Sequence, residues 1–183
     1  PHRHIIYTVN PLQVNTGFLV AQSIATAFNI IAPIIIALVV QRRLGLSFKY
    51  VLFGALIFIA FQLLTRVPAV QILQAILAPQ LKESRSLQIA WLAVLSLTAG
   101  LFEEIGRWIG YRFLMRKEEK TWAKGVLFGV GHGGIEAMLL VGVLGLLTVV
   151  NLTALSVMNF DTLPLPADQR AVAVEQIASI NAL

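Results

Sequence analysis

Long apolar runs dominate the chain, and short polar stretches punctuate them. A hydrocarbon core about 30 Å thick takes about 20 helical residues to cross, because each residue advances the axis by about 1.5 Å. Four stretches reach that length. The first covers about residues 16–40, TGFLVAQSIATAFNIIAPIIIALVV, and holds Pro33. Proline lacks an N–H, so one backbone hydrogen bond is lost there and a kink is expected. The second covers about residues 48–65, the third begins near Leu87 and runs to about Met115, and the fourth runs from about Lys124 to Val150. Between the second and third lies VPAVQILQAILAP, residues 67–79. It is apolar, bounded by prolines and only about 13 residues long, which predicts an interfacial or re-entrant segment. The tail PADQRAVAVEQIASINAL, residues 166–183, has the pattern of an amphipathic surface helix or the lead-in to a further segment. The expected fold is all-α: a polytopic helical membrane protein with about four transmembrane helices plus one short interfacial or re-entrant segment. Residues 1–183 would form a single membrane domain.

Composition agrees. Of 183 residues, 57% are hydrophobic and only 13% charged, and the mean hydropathy is +0.80; soluble domains rarely have that balance. The net charge of +5 does not point to nucleic acid, because the cations fall between the apolar blocks. Arg42, Arg43 and Lys49 mark one side of the membrane. Two crossings later, Arg112, Arg116, Lys117, Lys120 and Lys124 mark the same side. Arg3, Arg66, Lys82, Arg85 and Arg170 fall on the other, spread over longer stretches. By the positive-inside rule the two compact basic loops are cytoplasmic and the N-terminus is outside. No cleavable signal pattern is present. Absence of cysteine removes disulfides and thiolate metal ligands from consideration. Membrane lipid is the expected surrounding, and the oligomeric state is left open.

Three formal charges within one helical turn, Glu103, Glu104 and Arg107, break the third run, in LFEEIGRWIGYRF, residues 101–113. Glu103 lies about 24 Å along a helix that starts near Leu87, inside the hydrocarbon slab. An ionised side chain at a helix centre costs about 2.5–3.5 kcal/mol, so three isolated ones would cost about 8–10 kcal/mol. They are not isolated: Arg107 is four residues from Glu103 and three from Glu104, within reach of either carboxylate. One arginine neutralises one carboxylate, and the other then needs a proton, water or a second partner. A desolvated carboxyl has the character of a general acid or base near neutral pH. The bland alternative is a plain ion pair, or a helix that ends at Gly100 and leaves the charges at the interface.

The fourth run carries GVLFGVGHGGIEAM, residues 125–138. Phe128, His132 and Glu136 recur every four residues and share one helical face. Gly125, Gly129 and Gly133 form a small-xxx-small ridge of the kind that lets helices approach closely, and Gly106 with Gly110 form a matching pair on the third run. Here the bland alternatives are a structural histidine and ordinary transmembrane packing. The connecting loop centres near Glu118; Glu104 lies fourteen residues before it and His132 fourteen after. An antiparallel hairpin would therefore put them at one depth, within about one turn. The expected site gathers Glu103, Glu104, Arg107, His132 and Glu136, able to hold and activate a water or a metal ion.

These two motifs resemble the YhfC-type intramembrane metalloproteases, relatives of the superfamily that includes the CAAX prenyl endopeptidases. Glu103, Glu104 and Arg107 match a double glutamate followed by arginine, in the spacing EExxR rather than EExxxR. Phe128 and His132 match the Phe-xxx-His motif, and Gly131, Gly133, Gly134 and Glu136 fit the YhfC form of that helix. The resemblance is specific over about residues 100–140 and hydropathic elsewhere. It implies an intramembrane peptidase of a bacterial or archaeal cytoplasmic membrane, acting on a peptide or membrane protein. Glu103 or Glu104 would activate water, Arg107 would hold the partner carboxylate, and His132 would bind water, metal or the oxyanion, with Tyr111 a neighbouring hydrogen-bonding group. A zinc held by His132, Glu136 and Glu104 and a metal-independent mechanism both stand open. Family members also bring a histidine from a later helix. No histidine follows His132 here, and Asn151 and Asn159 are poor substitutes, so the expectation is a fragment lacking C-terminal helices, inactive alone. Two other classes compete: a transporter or proton-coupled carrier with Glu103, Glu104, Arg107 and Glu136 lining a polar path, and a non-catalytic membrane scaffold.

Overall fold

The computed structural model describes residues 15–157 and, within the tail, residues 166, 168, 169, 171, 172, 175 and 178. The greater part of the predicted amphipathic tail lies outside the described residues. Four helices long and apolar enough to cross a membrane account for nearly all of the described chain: α1 (Thr16–Leu44), α2 (Lys49–Glu83), α3 (Arg85–Leu114) and α4 (Trp122–Ala154). No strand occurs among the described residues.

The expected short segment is not separate. Residues 67–79 continue α2 without a break, so the second span and the proline-flanked segment are one helix of 35 residues. Pro68 lies just after the widened turn of α2, and Pro79 is accommodated within the helix. The reversal comes instead at Ser84, whose backbone is extended and whose Oγ accepts the Leu87 N–H at 3.3 Å. Serine thus ends α2 and caps α3 in a single residue. Equally, α3 does not stop at Gly100; it passes through the charged motif.

Helix α1 ends at a left-handed Gly45 (φ 62°), and nothing crowds that position, so backbone conformation alone calls for glycine. Gln41 Nε2 donates to the Leu46 carbonyl at 2.7 Å, closing the turn into α2. At the far end of the sequence of spans, Thr121 is extended and caps α4.

Three stretches widen to π-helical geometry: Ile59–Arg66 in α2, Gly110–Leu114 at the end of α3, and Ala137–Val143 in α4. In the first, the Thr65 hydroxyl donates five residues back to the Ala60 carbonyl at 2.7 Å, as the wider turn allows.

By packing, the chain divides into two compact units, Ile31–Leu139 and a second made of the residues up to Ile30 with those from Leu140 onward. In the second, Gly145 lies against Thr26 so closely that a methyl group there would meet the threonine hydroxyl. In the first, α4 packs chiefly on α2 rather than on α3, which correspondingly packs on the π-helical part of α2. Its core is Ala37, Tyr50, Val51, Ile57, Met115, Leu127 and Phe128. Around it, large apolar side chains such as Ile34, Ile35, Leu52, Leu56, Leu92 and Leu97 are exposed, as surfaces meeting lipid must be.

Candidate active site

Helix α2 builds the site that α3 and α4 carry. Gly54, Phe58, Gln62 and Arg66 recur every four residues and line one of its faces. At Gly54 a methyl group would run into the Phe128 carbonyl and the His132 N–H of α4; at Gly131 one would run into the Val51 backbone of α2. Two glycines, one on each helix, thus let the backbones touch. The crossing fixes His132 beside α2, where the Phe58 ring meets the imidazole edge-on, 5.3 Å between centroids.

The anticipated ridge does not make this contact. Gly129 and Gly133 face open space, Gly125 has Tyr111 Oη 3.4 Å from where a methyl would be, and Gly106 and Gly110 make room for the side chains of Phe61, Ile57 and Phe128. Glycines four apart share a face, and Gly131 lies about 200° around the helix from Gly129. α4 uses the Gly131 face because that is where α2 lies. α3 and α4 meet through rings rather than backbones: Tyr111 stacks on Phe128 at 4.8 Å, 26° from parallel.

Next along α2, buried Gln62 donates to the Ala99 carbonyl at 3.0 Å and makes a longer contact, 3.4 Å, with Glu103 Oε1. Arg66 donates to the Leu95 carbonyl and to Thr98 Oγ1 (3.3 Å). Arg66 is therefore not a loop cation; it lies within α2, about 25 Å along the axis from Lys49. These bonds set the rotation of α3, and with it the direction of Glu103.

The two glutamates take different surroundings. The Glu103 side chain is 27% exposed, touches Gln62 and lies 3.7 Å from Arg107. The Glu104 side chain is 74% exposed and is tied to Arg107 by a short charge-assisted bond. Arg107 thus bridges both, more tightly to Glu104. Glu103 and Arg107 lie within electrostatic range of His132 and of Glu136. Counted along the helices, Glu103 is about 16 Å from the Leu114 end of α3 and His132 about 15 Å from the Trp122 end of α4. His132 is buried, and neither ring nitrogen has a hydrogen-bond partner among the described residues. Most buried imidazoles bond at least one nitrogen; here both are without a partner among the described residues.

Sequence comparison adds the lineage. The model of the family described as "YhfC intramembrane metalloprotease" matches residues 28–183. The chain belongs to the YhfC family. One relative, the "Uncharacterized membrane protein YhfC" of Bacillus subtilis (strain 168), is 34% identical over 148 residues, which cover 80% of this chain and 56% of the relative. The chain spans a little over half the length of that relative. No solved structure matches. Family membership and the four apolar helices together make this an integral membrane protein.

The family's description implies a metal, and the donors can be tested against one. His132, with two unpartnered nitrogens, has the chemistry of a ligand. The proposed companions do not join it. Glu104 points to Arg107 and outward, and among the described residues no three His, Cys, Asp or Glu side chains come together as a metal-binding group. A bound zinc needs at least three protein ligands, so these residues do not by themselves form a metal centre.

Sequence reasoning overlooked Gly54, Phe58 and Gln62. Their signal was present: a lone glutamine inside an apolar run, eight residues after a glycine and four after a phenylalanine, on the face that later proves to be the interface.

Proposed function

We propose that this YhfC member is an intramembrane peptidase in which Glu103 is the general base. Glu103 takes a proton from a water molecule as the water oxygen attacks the carbonyl carbon of a peptide bond. His132 donates a hydrogen bond to the oxygen that becomes negative. Glu103 then passes its proton to the amide nitrogen as the C–N bond breaks, leaving a carboxylic acid and an amine. Arg107, itself held by Glu104, lies 3.7 Å from Glu103 and fixes where its carboxylate stands. Within this proposal, the substrate is a peptide or membrane protein presented at bilayer depth, and the basic loops face the cytoplasm. No step is assigned to a metal.

The observation that supports the reading is a partly shielded Glu103 carboxylate within electrostatic range of a buried His132 imidazole that has no hydrogen-bond partner among the described residues. A transporter would also bury such groups, and cleavage separates the two. Full-length protein in proteoliposomes should lose cleavage of a transmembrane peptide by about a hundredfold or more in Glu103→Gln and His132→Ala. Glu104→Gln should lose about tenfold or less, since that residue acts through Arg107. Equal losses at both glutamates would reject the assignment of the base, and proton flux without cleavage would reject the peptidase. The orientation has its own check. The chain has no cysteine, so Ser47→Cys and Lys117→Cys should be shielded from a membrane-impermeant maleimide in intact cells and labelled after lysis.

A further inference from the structure

Below the catalytic level, where α3 runs out, Trp108, Tyr111, Arg112, Phe113, Arg116 and Lys120 line a concave pocket of about 660 Å³. It has no part in the proposed hydrolysis. Its three cations come from one turn of π-helix and the loop after it. None of the three enters an ion pair or hydrogen bond among the described residues, and this sets them apart from their neighbours. Lys49 and Lys124 are both held by Glu118, and Arg107 is held by its two glutamates. With Glu118 so engaged, the remaining loop acid is Glu119, which is exposed and pairs with none of the three. The pocket therefore carries uncompensated positive charge. It also has an apolar rim: Trp108 is 61% and Phe113 65% exposed. Exposed aromatics beside unpaired arginines, at the end of a spanning helix, have the composition of the membrane–water boundary.

We propose that this pocket binds the phosphate-bearing headgroup of an anionic phospholipid, with Arg112, Arg116 and Lys120 on the phosphate and Trp108 and Phe113 against the glycerol and upper acyl region. Arginine suits the task because its planar fork meets phosphate oxygens in pairs. Each cation near an anionic membrane surface is worth about 1 kcal/mol, or about fivefold in affinity. Placing a lipid there would anchor the end of α3 and so the depth at which Glu103 is held.

The test uses intrinsic fluorescence. Full-length protein with Trp91→Phe and Trp122→Phe retains Trp108 of this chain's three tryptophans. It is reconstituted into phosphatidylcholine vesicles carrying brominated phosphatidylglycerol or brominated phosphatidylcholine, and circular dichroism checks that each variant stays helical. Brominated phosphatidylglycerol should quench Trp108 at several-fold lower mole fraction than the neutral lipid. Arg116→Gln should erode that preference about fivefold, and Arg112→Gln with Arg116→Gln should abolish it. Lys117→Gln removes the same charge from the same loop outside the pocket and should leave the preference intact. Equal quenching by both lipids overturns the proposal. So does a loss in Lys117→Gln as large as that in Arg116→Gln, which would mean diffuse surface charge. Relief of quenching by millimolar inorganic phosphate overturns it as well, by making this a site for soluble anions. If Arg112→Gln fails to fold, Arg116→Gln and Lys120→Gln, both past the helical turn, decide the matter.

Discussion

A single methyl group is enough to separate α2 from α4. At Gly131 a Cβ would collide with the Val51 backbone, and at Gly54 with the Phe128 carbonyl; backbone cannot rotate aside as a side chain can. Gly131→Ala should therefore push the helices apart, costing about 1–3 kcal/mol as overpacking does, and should displace His132 from Phe58. Gly133→Ala, two residues away and facing open space, should be neutral or slightly stabilising through better helix propensity. Unfolding of detergent-solubilised protein with dodecyl sulfate measures both. A similar loss in the two variants would mean that α4 uses the ridge of Gly125, Gly129 and Gly133 after all. At the same scale, the Glu103 and Glu104 side chains lie one residue apart but in different worlds. A Glu104–Arg107 pair so exposed would face hydrocarbon at that depth only at a large penalty.

Between elements, polar side chains rather than apolar burial set rotation, because lipid solvates leucine as well as a neighbouring helix does. Gln62 and Arg66 reach from α2 to Ala99, Leu95 and Thr98, and both lie on the π-helical stretch of α2. That widening adds a residue to the turn and re-aims the face, a device common near functional sites. Gln62→Leu removes the interhelical bond to Ala99, about 0.6 kcal/mol in a membrane, together with the longer contact to Glu103, and lets Glu103 swing. Its rate should fall about tenfold to a hundredfold with KM unchanged and stability shifted by under about 1 kcal/mol. A matching fall in stability, or a changed KM, would assign Gln62 to packing or substrate binding. The spans themselves were legible in the apolar runs. Two things were not. Hydropathy carries no trace of a π turn, so residues 67–79 read as a separate segment. Counting along an axis gives depth but not rotation, so it could not say that α2 stands between α3 and α4, or which of two adjacent glutamates turns inward.

Across the molecule, the Ile31–Leu139 unit is closed at one end by polar contacts that join residues about 70 apart. Glu118 accepts from Lys49, from Tyr50 Oη at 2.7 Å and from Lys124 Nζ at 3.2 Å, while both lysines lie over the Tyr50 ring, 5.2 and 5.5 Å from its centre. The sequence marks residues 116–122 only as a basic loop, yet its one deeply engaged acid ties the start of α2 to the start of α4, next to the core of Tyr50, Val51 and Leu127. The bonds from Lys49 first, then Tyr50 and Lys124, hold the Glu118 carboxyl down from 4.5 to about 2. A carboxyl depressed in the folded state binds a proton less readily than its unfolded counterpart, so the unfolded chain takes up more protons between those two values. The stabilisation from Glu118 is then complete above about pH 4.5, declines as pH falls, and is gone below about pH 2. Glu118→Gln lacks the charge at every pH. Thermal unfolding in detergent should find it less stable than wild type from neutral pH down to about 4.5, with the two curves converging toward pH 2. Because the cluster is partly solvated, the gap should also narrow in high salt. Parallel curves across the acid range would show that the clamp holds by shape and hydrogen bonding rather than by the charge on Glu118.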